Sequence, residues 1–334
     1  MTANVTAAIQ VKPGIGDVVW HLPFIRAIAA AAPQRQAMFF APPTSAAKDL
    51  LAAESCVGAT VYFQHAGSEL QRGINLIRLV ALLRRHRLRS IWILDRTIRP
   101  ALAAALAGIP ERIGLGLGPL SAFVTNRGIG QEHFHDHPID WLRALMAAMN
   151  VPPASTEPDL PLPAATLAAV EKKFGDLGRP WIVVGIGASH PEKDWPDAAW
   201  REFLTGLHTP GTVFLVGGPD NAARAEAFIA AAPSIATVNA CGLQLIEAAA
   251  LLRLADLFVG PSSGPLNLAA ARGTQAFGLF GSTPVLIYSK FIHAIVPDGG
   301  PAPGGMVRIT PAQVLDRIAP YLSRRKAQAQ ISTV

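Results

Sequence analysis

Cysteine is nearly absent from this sequence: its 334 residues include two, Cys56 and Cys241, far apart along the chain. A disulfide framework is excluded, and a reducing compartment is the expected setting. Aromatic side chains make up 7% of the chain while half of all residues are hydrophobic. The core must therefore be built mainly of Ala, Leu, Ile and Val, as in globular α/β proteins. No apolar run approaches the roughly 20 residues that span a bilayer. The opening stretch MTANVTAAIQVKPGIGD lacks the charged start and long apolar segment of a secretory signal. Three nucleotide or metal signatures are also missing. GIGDVV carries Val19, and GIGASH carries His190, where a dinucleotide fingerprint needs its third glycine. Both argue against an oxidoreductase built on these loops. Neither a G-x-x-x-x-G-K-[ST] loop nor a D-x-D pair occurs anywhere.

Acidic charge is scarce in the first half. Residues 1–150 carry 15 Lys and Arg against 9 Asp and Glu, residues 151–320 carry 11 against 14, and the tail 321–334 adds Arg324, Arg325 and Lys326. A basic half suits an anionic partner such as a phosphorylated lipid or a membrane face. The run RRHRLR from Arg84 to Arg89, taken alone, reads first as a solvated helix end. The basic residues come without interleaved aromatics, which argues against nucleic acid as the partner.

What is present is alternation. AAIQVK reads as a strand, VWHLPFIRAIAAAA as the helix after it, and QAMFFA, ATVYFQ and SIWILD as further strands. INLIRLVALLRRH and IDWLRALMAAMN read as helices, and ALAAALAG as a helix closed by Gly108. Five prolines in VPPASTEPDLPLPAA, residues 151–165, rule out a helix or a central strand and mark a linker. The alternation then restarts with PWIVVGIGAS and ends on the helix TPAQVLDRIAPYL, with Thr310 as its cap before Pro311. The pattern predicts an α/β fold of two doubly wound domains, residues 1–150 and 166–320, joined by the linker and followed by the basic tail 321–334. A cleft between the domains is the default ligand site.

Two glycine turns lead into helices. In the first, Gly14 and Gly16 precede an acid, Asp17. In the second, GASHPEKDWP sets Gly187, Ser189 and Lys193 in one loop after an apolar strand. A hydroxyl and a mobile ammonium suit phosphate oxygens, and the same lysine reads equally as exposed. Further on, VGPSSGPLNLAAARG puts Ser262, Ser263 and Gly264 at the head of a helix with Asn267 one turn in. This is either a diphosphate seat on free amides or plain capping. Asp220 and Asn221 follow the strand FLVGGP and either contact a ribose or base or cap the next helix. His133, His135, Asp136 and His137 in HFHDHPID fit no zinc spacing and read as the start of a helix through Pro138; no metal site is expected. Trp195 and Trp200 read as packing.

These stretches together resemble the family 9 glycosyltransferases, the heptosyltransferases of lipopolysaccharide inner-core assembly. IQVKPGIGDVVWHLPFIRAI resembles the family's opening, a strand, then G-D, then an apolar helix containing L-P. GASHPEKDWP resembles its G-x-[ST]-x-x-x-K-x-W-P segment, and LLRLADLFVGPSSGPLNLAAARGTQAFGLFGST its long A-D-L-x-V-G block. IWILDRTIRPALAAALAGIPERIGLG also follows the family pattern. The resemblance implies the GT-B fold, two Rossmann-like domains facing across a cleft. It implies an N-terminal domain for an anionic glycolipid acceptor and a C-terminal domain for a nucleotide sugar, heptose from ADP-heptose. It further implies transfer with inversion and without a metal or other cofactor, in the cytoplasm at the inner face of the membrane. Asp17 would be the general base. Ser189, Lys193, Ser262, Ser263, Gly264, Asn267 and Asp220 would hold the donor, with Gly14, Gly16 and Gly187 shaping the loops.

The chain departs from the family at three places. It has Ser262 where members usually carry Asp, Asn267 where they carry His, and Arg96–Thr97 where they often show Gln–Gly. These departures keep open a relative with altered specificity or one that binds a nucleotide sugar without transfer. An epimerase-like enzyme without an acceptor is a third alternative.

Overall fold

The computed structural model describes residues 5–188 and 190–331, with side chains described as far as Ser323. The chain divides into two compact units between Pro161 and Leu162, inside the proline-rich stretch.

The first unit is built of β1 (Val5–Ile9), α1 (Ile15–Ala31), β2 (Ala37–Ala41), α2 (Ala47–Leu50), β3 (Val57–Tyr62), α3 (Glu69–Arg85), β4 (Leu88–Ile93), α4 (Ile98–Leu106), β5 (Glu111–Gly114) and α5 (Pro138–Ala148). Its five strands are parallel in the order β3-β2-β1-β4-β5. The central strand β1 buries Ala7, Ala8 and Ile9 completely. That explains its continuous apolar sequence, since a parallel strand covered on both faces needs no alternation. The chain order reverses between β1 and β4, and the crevice outside their carboxyl ends is where such sheets seat ligands.

The second unit comprises α6 (Ala164–Phe174), β6 (Trp181–Gly185), α7 (Asp197–Gly206), β7 (Thr212–Val216), α8 (Ala222–Ala231), β8 (Thr237–Asn239), α9 (Leu245–Leu254), β9 (Leu257–Pro261), α10 (Gly264–Ala271), β10 (Gln275–Leu279), β11 (Ile292–Ile295) and α11 (Pro311–Ile331). All six strands are parallel in the order β11-β10-β9-β6-β7-β8, so the reversal falls between β9 and β6. Trp195 and Trp200 lie in its core with ring centroids 4.7 Å apart in a T-shape, and Trp195 Nε1 donates to the Ile309 carbonyl at 3.0 Å. They pack, as expected. Thr310 caps α11 as expected, its Oγ1 accepting from Gln313 N at 3.2 Å.

Several elements differ from expectation. Helix α1 starts at Ile15 rather than Val19, so Gly16 and Asp17 belong to its first turn and not to a loop. The cause is the turn at Gly14, whose N–H donates to the Asp17 carboxylate and whose carbonyl accepts from Asp17 N, both at 3.2 Å. Strands β5, β8 and β11 were not anticipated, because three or four residues with charged or polar members give no periodic signal. Helix α6 begins at Ala164, overlapping the end of the expected linker. Helix α11 continues to Ile331, so most of the expected basic tail extends a helix.

Candidate functional site

In the first unit the chain leaves β1 through Gln10-Val11-Lys12-Pro13-Gly14 and enters α1. Asp17 sits in that first turn, its Oδ2 accepting from Gly14 N at 3.2 Å and its Oδ1 lying 3.6 Å from Lys12 Nζ. A Cβ on Gly14 would stand 2.8 Å from Asp17 Oδ2, so a larger residue there would push the carboxylate out of its present position. Gly16 lies within the helix itself. The Asp17 side chain remains about one third exposed, which leaves it open to a ligand.

The sequence reading did not single out the groups that hold this turn. Gln10 is fully buried; its Nε2 donates to the Lys12 carbonyl at 2.9 Å, and its Oε1 lies 2.6 Å from His21 Nδ1. Burial, reinforced by the Lys12 charge, pushes the His21 ring down to about 3, so it stays neutral. From the end of β4, Asp95 Oδ2 accepts the Val11 N–H at 2.6 Å. Asp95 is buried, and among the described residues its Oδ1 has no hydrogen-bond partner. Burial pushes its carboxyl up to about 6, against the pull of the Val11 N–H and the Lys12 charge. Thus the two strand ends that meet at the reversal are tied together beneath Asp17. The available signal was an isolated polar letter in each apolar run: Gln10 in AAIQVK, His21 in VWHLPF, Asp95 in IWILD.

Beside this turn, at the ends of β3 and β4, lies a small cavity walled by Val11, Phe63, His65, Asn75 and Thr97, with Arg72 and Arg99, both ion-paired to Glu69 at 2.5 and 3.7 Å, on its rim. Arg96 plays a different part. Its guanidinium lies over the rings of Phe134 and Trp141, 4.4 and 4.5 Å from their centroids, and Nη1 donates to the Phe134 carbonyl at 2.6 Å. It pins the segment 131–137 to the end of β4. In that segment His133 Nδ1 lies 2.7 Å from Asp136 Oδ2, and His137 accepts from Ile139 N at the head of α5. Among the described residues no cluster of His, Cys, Asp and Glu could hold a metal ion.

In the second unit the candidate donor residues gather at the carboxyl ends of β6, β7 and β9. Gly187 follows β6, and a Cβ there would meet Asn221 Nδ2 at 2.8 Å, so a larger residue would have to displace the Asn221 side chain. Asp220 is exposed in the 3₁₀ turn Pro219–Asn221, and Asn221 makes no side-chain cap bond to α8. Lys193 closes the 3₁₀ turn Pro191–Lys193, half-buried and without an ion pair among the described residues. Ser189 lies outside the described residues. The segment around Lys193 is clamped by Arg224 of α8. Its Nη1 donates to Asp194 Oδ2 at 2.7 Å and to the Ile186 carbonyl, its Nε to Asp197 Oδ1 at 2.8 Å, and its Nη2 to the Trp195 carbonyl at 3.2 Å. Burial raises the Asp194 carboxyl despite the adjoining Arg224 charge. Arg224 is a further residue the sequence reading passed over, since one arginine in an alanine-rich helix carries no signal.

At the end of β9, Ser262 and Ser263 lead into α10, which opens at Gly264. Ser263 occupies the cap position with extended backbone, yet its side chain makes no cap bond. Its Oγ is buried and, among the described residues, without a partner. Plain capping therefore does not account for this serine. Asn267 turns its Nδ2 back onto the Ser263 carbonyl at 3.0 Å. The turn offers the orphan amides of a helix start beside a buried, unused hydroxyl, a geometry suited to an anion.

Comparison with known proteins adds a lineage. The family model described as Glycosyltransferase family 9 (heptosyltransferase) matches residues 77–289. The lipopolysaccharide core heptosyltransferase OpsX of Haemophilus influenzae is 24% identical over 181 residues, 52% of this chain and 52% of that protein, so the match spans about half of its length. Among solved structures, the Escherichia coli ADP-heptose lipopolysaccharide heptosyltransferase II superposes with a TM-score of 0.74 at 22% identity, covering 96% of this chain and 99% of that one. The Escherichia coli heptosyltransferase WaaC with ADP-2-deoxy-2-fluoro heptose does so with 0.71 at 16% identity, covering 94% and 99%. The fold is that of the GT-B glycosyltransferases, two parallel-sheet Rossmann-like units in one chain.

Proposed function

Since the chain belongs to glycosyltransferase family 9, the heptosyltransferase family, we propose that it moves a sugar from a nucleotide donor onto a hydroxyl of a lipopolysaccharide-core glycolipid, with inversion and without a metal ion. The observation that carries this reading is Asp17, a partly exposed carboxylate fixed by Gly14 and Lys12 at the strand reversal of the first unit. The acceptor hydroxyl gives its proton to Asp17 while its oxygen attacks the anomeric carbon. The bond from that carbon to the diphosphate breaks on the opposite face, and the diphosphate leaves with the electron pair. Lys193, the Ser263 hydroxyl and the first amides of α10 take up the charge it gains, the part a metal plays elsewhere. Asp220 and Asn221, at the neighbouring strand end, suit the nucleoside. The donor we assign is ADP-heptose, in keeping with the ADP-linked sugar held by the Escherichia coli relative. The acceptor is anionic, in keeping with the excess of Lys and Arg over Asp and Glu in residues 1–150, and the site of action is the cytoplasmic face of the inner membrane. Assaying wild type and Asp17→Asn with ADP-heptose and a lipopolysaccharide-core acceptor tests the reading: transfer disappears in the variant, whereas an active variant removes the mechanism.

A second reading is favoured by Ser262 and Asn267, which stand where an acid and an imidazole were expected. It is a relative whose donor differs or which holds a nucleotide sugar without transferring it. Turnover with a panel of nucleotide sugars separates the two, since binding without transfer supports the second.

A further inference from the structure

We propose that the outer face of α3 is a membrane-contact surface that lays the first unit on an anionic phospholipid bilayer. Leu70 is 77% exposed, Ile74 37% and Ile77 70%. Steps of four and three residues put them on one face of the helix, opposite the buried Asn75, Leu79 and Leu83. Exposed Ala81 continues the stripe by a further turn. Leu106, 51% exposed at the end of α4, lies beside its lower end, where Arg84 Nη2 donates to the Leu106 carbonyl at 2.7 Å. Apolar side chains of this size held in water on consecutive turns have no structural use in the unit itself, since the core lies on the other side of the helix.

The charge around the stripe identifies what covers it. From residue 70 to residue 94 the sequence has six arginines and no acid. Arg72 is paired with Glu69, and Arg89 with Glu111. Arg78, Arg84, Arg85 and Arg87 are exposed and form no ion pair among the described residues. Arg78 and Arg85, seven residues apart, line one flank of the stripe, and Arg84 continues the line of Ile77. A helix with long apolar side chains on its outer face and arginines along their edge is the pattern of one lying in a lipid interface. There each cation near an anionic headgroup layer strengthens attachment. A second copy of this chain is disfavoured as the occupant, because that contact would set arginine row against arginine row. The surface also has a use. The loop before α3 ends beside the Arg72 and Arg99 cavity, so a bilayer on this face brings glycolipid headgroups to the strand ends that carry Asp17. This use rests on the glycolipid reading; the contact itself does not.

The test is flotation of the full chain with phosphatidylglycerol-containing and with pure phosphatidylcholine vesicles, at low and high salt, for wild type, Ile77→Glu and Arg78→Glu/Arg85→Glu. Wild type is expected to float with the anionic vesicles only, and less at high salt. Ile77→Glu should reduce partitioning about tenfold or more, and the arginine variant at least about fivefold per charge, both with unchanged circular dichroism. Wild type that stays off anionic vesicles overturns the proposal. So do variants that bind as well as wild type, or a face that proves to mediate dimerisation by sedimentation while vesicles are ignored. Turnover on a detergent-dispersed acceptor, measured alongside, should be unchanged in Ile77→Glu. If no variant, wild type included, turns over while flotation behaves as expected, the transfer reading fails and the contact surface stands.

Discussion

The two units solve the same topological problem with different side chains. Each is a parallel sheet whose strand order reverses near its middle, at β1/β4 in the first and β6/β9 in the second, and each opens a helix at that reversal. At β1/β4 the groups are a partly exposed carboxylate, a lysine beside it, and a buried support of Gln10, His21 and Asp95. At β6/β9 they are a lysine, hydroxyls and helix amides, supported by one arginine that binds two carboxylates and two carbonyls. The fold decides where a ligand can sit, and the side chains at the rim decide what is done there. A carboxylate rim suits proton removal, and a cationic, hydroxyl-rich rim suits a phosphate. The support differs accordingly. The first reversal is braced by buried polar groups, Asp95 among them, that leave Asp17 as the acid facing out, the second by an ion cluster that holds a loop in place.

Breaking this contrast at its strongest point means Asp17→Asn. Transfer should fall by about 10²–10⁴-fold, the worth of a positioned base, with little change in melting temperature because the residue is partly exposed. Steady-state kinetics measure it. Next comes Lys193→Ala, which removes the cation from the rim of the second unit. kcat/KM for the nucleotide sugar should fall about a hundredfold, while Arg224→Lys, which keeps the charge but not the fork, should lose less.

Asp95→Asn addresses the brace of the first unit. The folded carboxyl titrates near 6, above its ordinary 3.8. The neutral form is thus favoured on folding, and the stability this group lends is complete below about pH 4 and lost as pH rises through about 6. The loss is on the order of 2–3 kcal/mol. In urea denaturation from pH 4 to 7 the stability of wild type relative to Asp95→Asn should decline by that amount, on top of the rise with pH that the buried neutral His21 gives to both proteins; a difference that stays constant with pH would show that Asp95 is not its source. The smallest effect is expected from Ser263→Ala. Its Oγ makes no protein bond in the described structure, so the free variant should melt within about 0.5 kcal/mol of wild type. ADP should then stabilise it less than wild type in a thermal-shift assay.

The architecture was readable because parallel strands covered on both faces are written as apolar runs, and several of these runs, those of β1, β6 and β7 among them, lead into a glycine turn. The donor rim was readable for a related reason: lysine, serine and glycine cluster within short loops, as in GASHPEKDWP and VGPSSGP. The supports were not. Gln10, His21 and Asp95 act through bonds that span from 2 to 84 positions of sequence, and no local pattern marks a pairing at that distance. Helix α1 begins four residues earlier than its apolar run because glycine and aspartate are poor helix formers in a helix interior, while here Asp17 accepts from Gly14 N at the helix start. Ser262 and Asn267 show the reverse limit. Their departure from expectation was visible at once, yet what Asn267 does, bonding the Ser263 carbonyl, needed coordinates.

The account's central claim is that the two reversals divide the work, with chemistry at the first and donor binding at the second. Calorimetric titration of ADP into Asp17→Asn and Lys193→Ala tests it most directly. ADP should bind Asp17→Asn as it binds wild type and should bind Lys193→Ala at least about tenfold more weakly. ADP affinity that falls in Asp17→Asn and is untouched in Lys193→Ala would contradict the division.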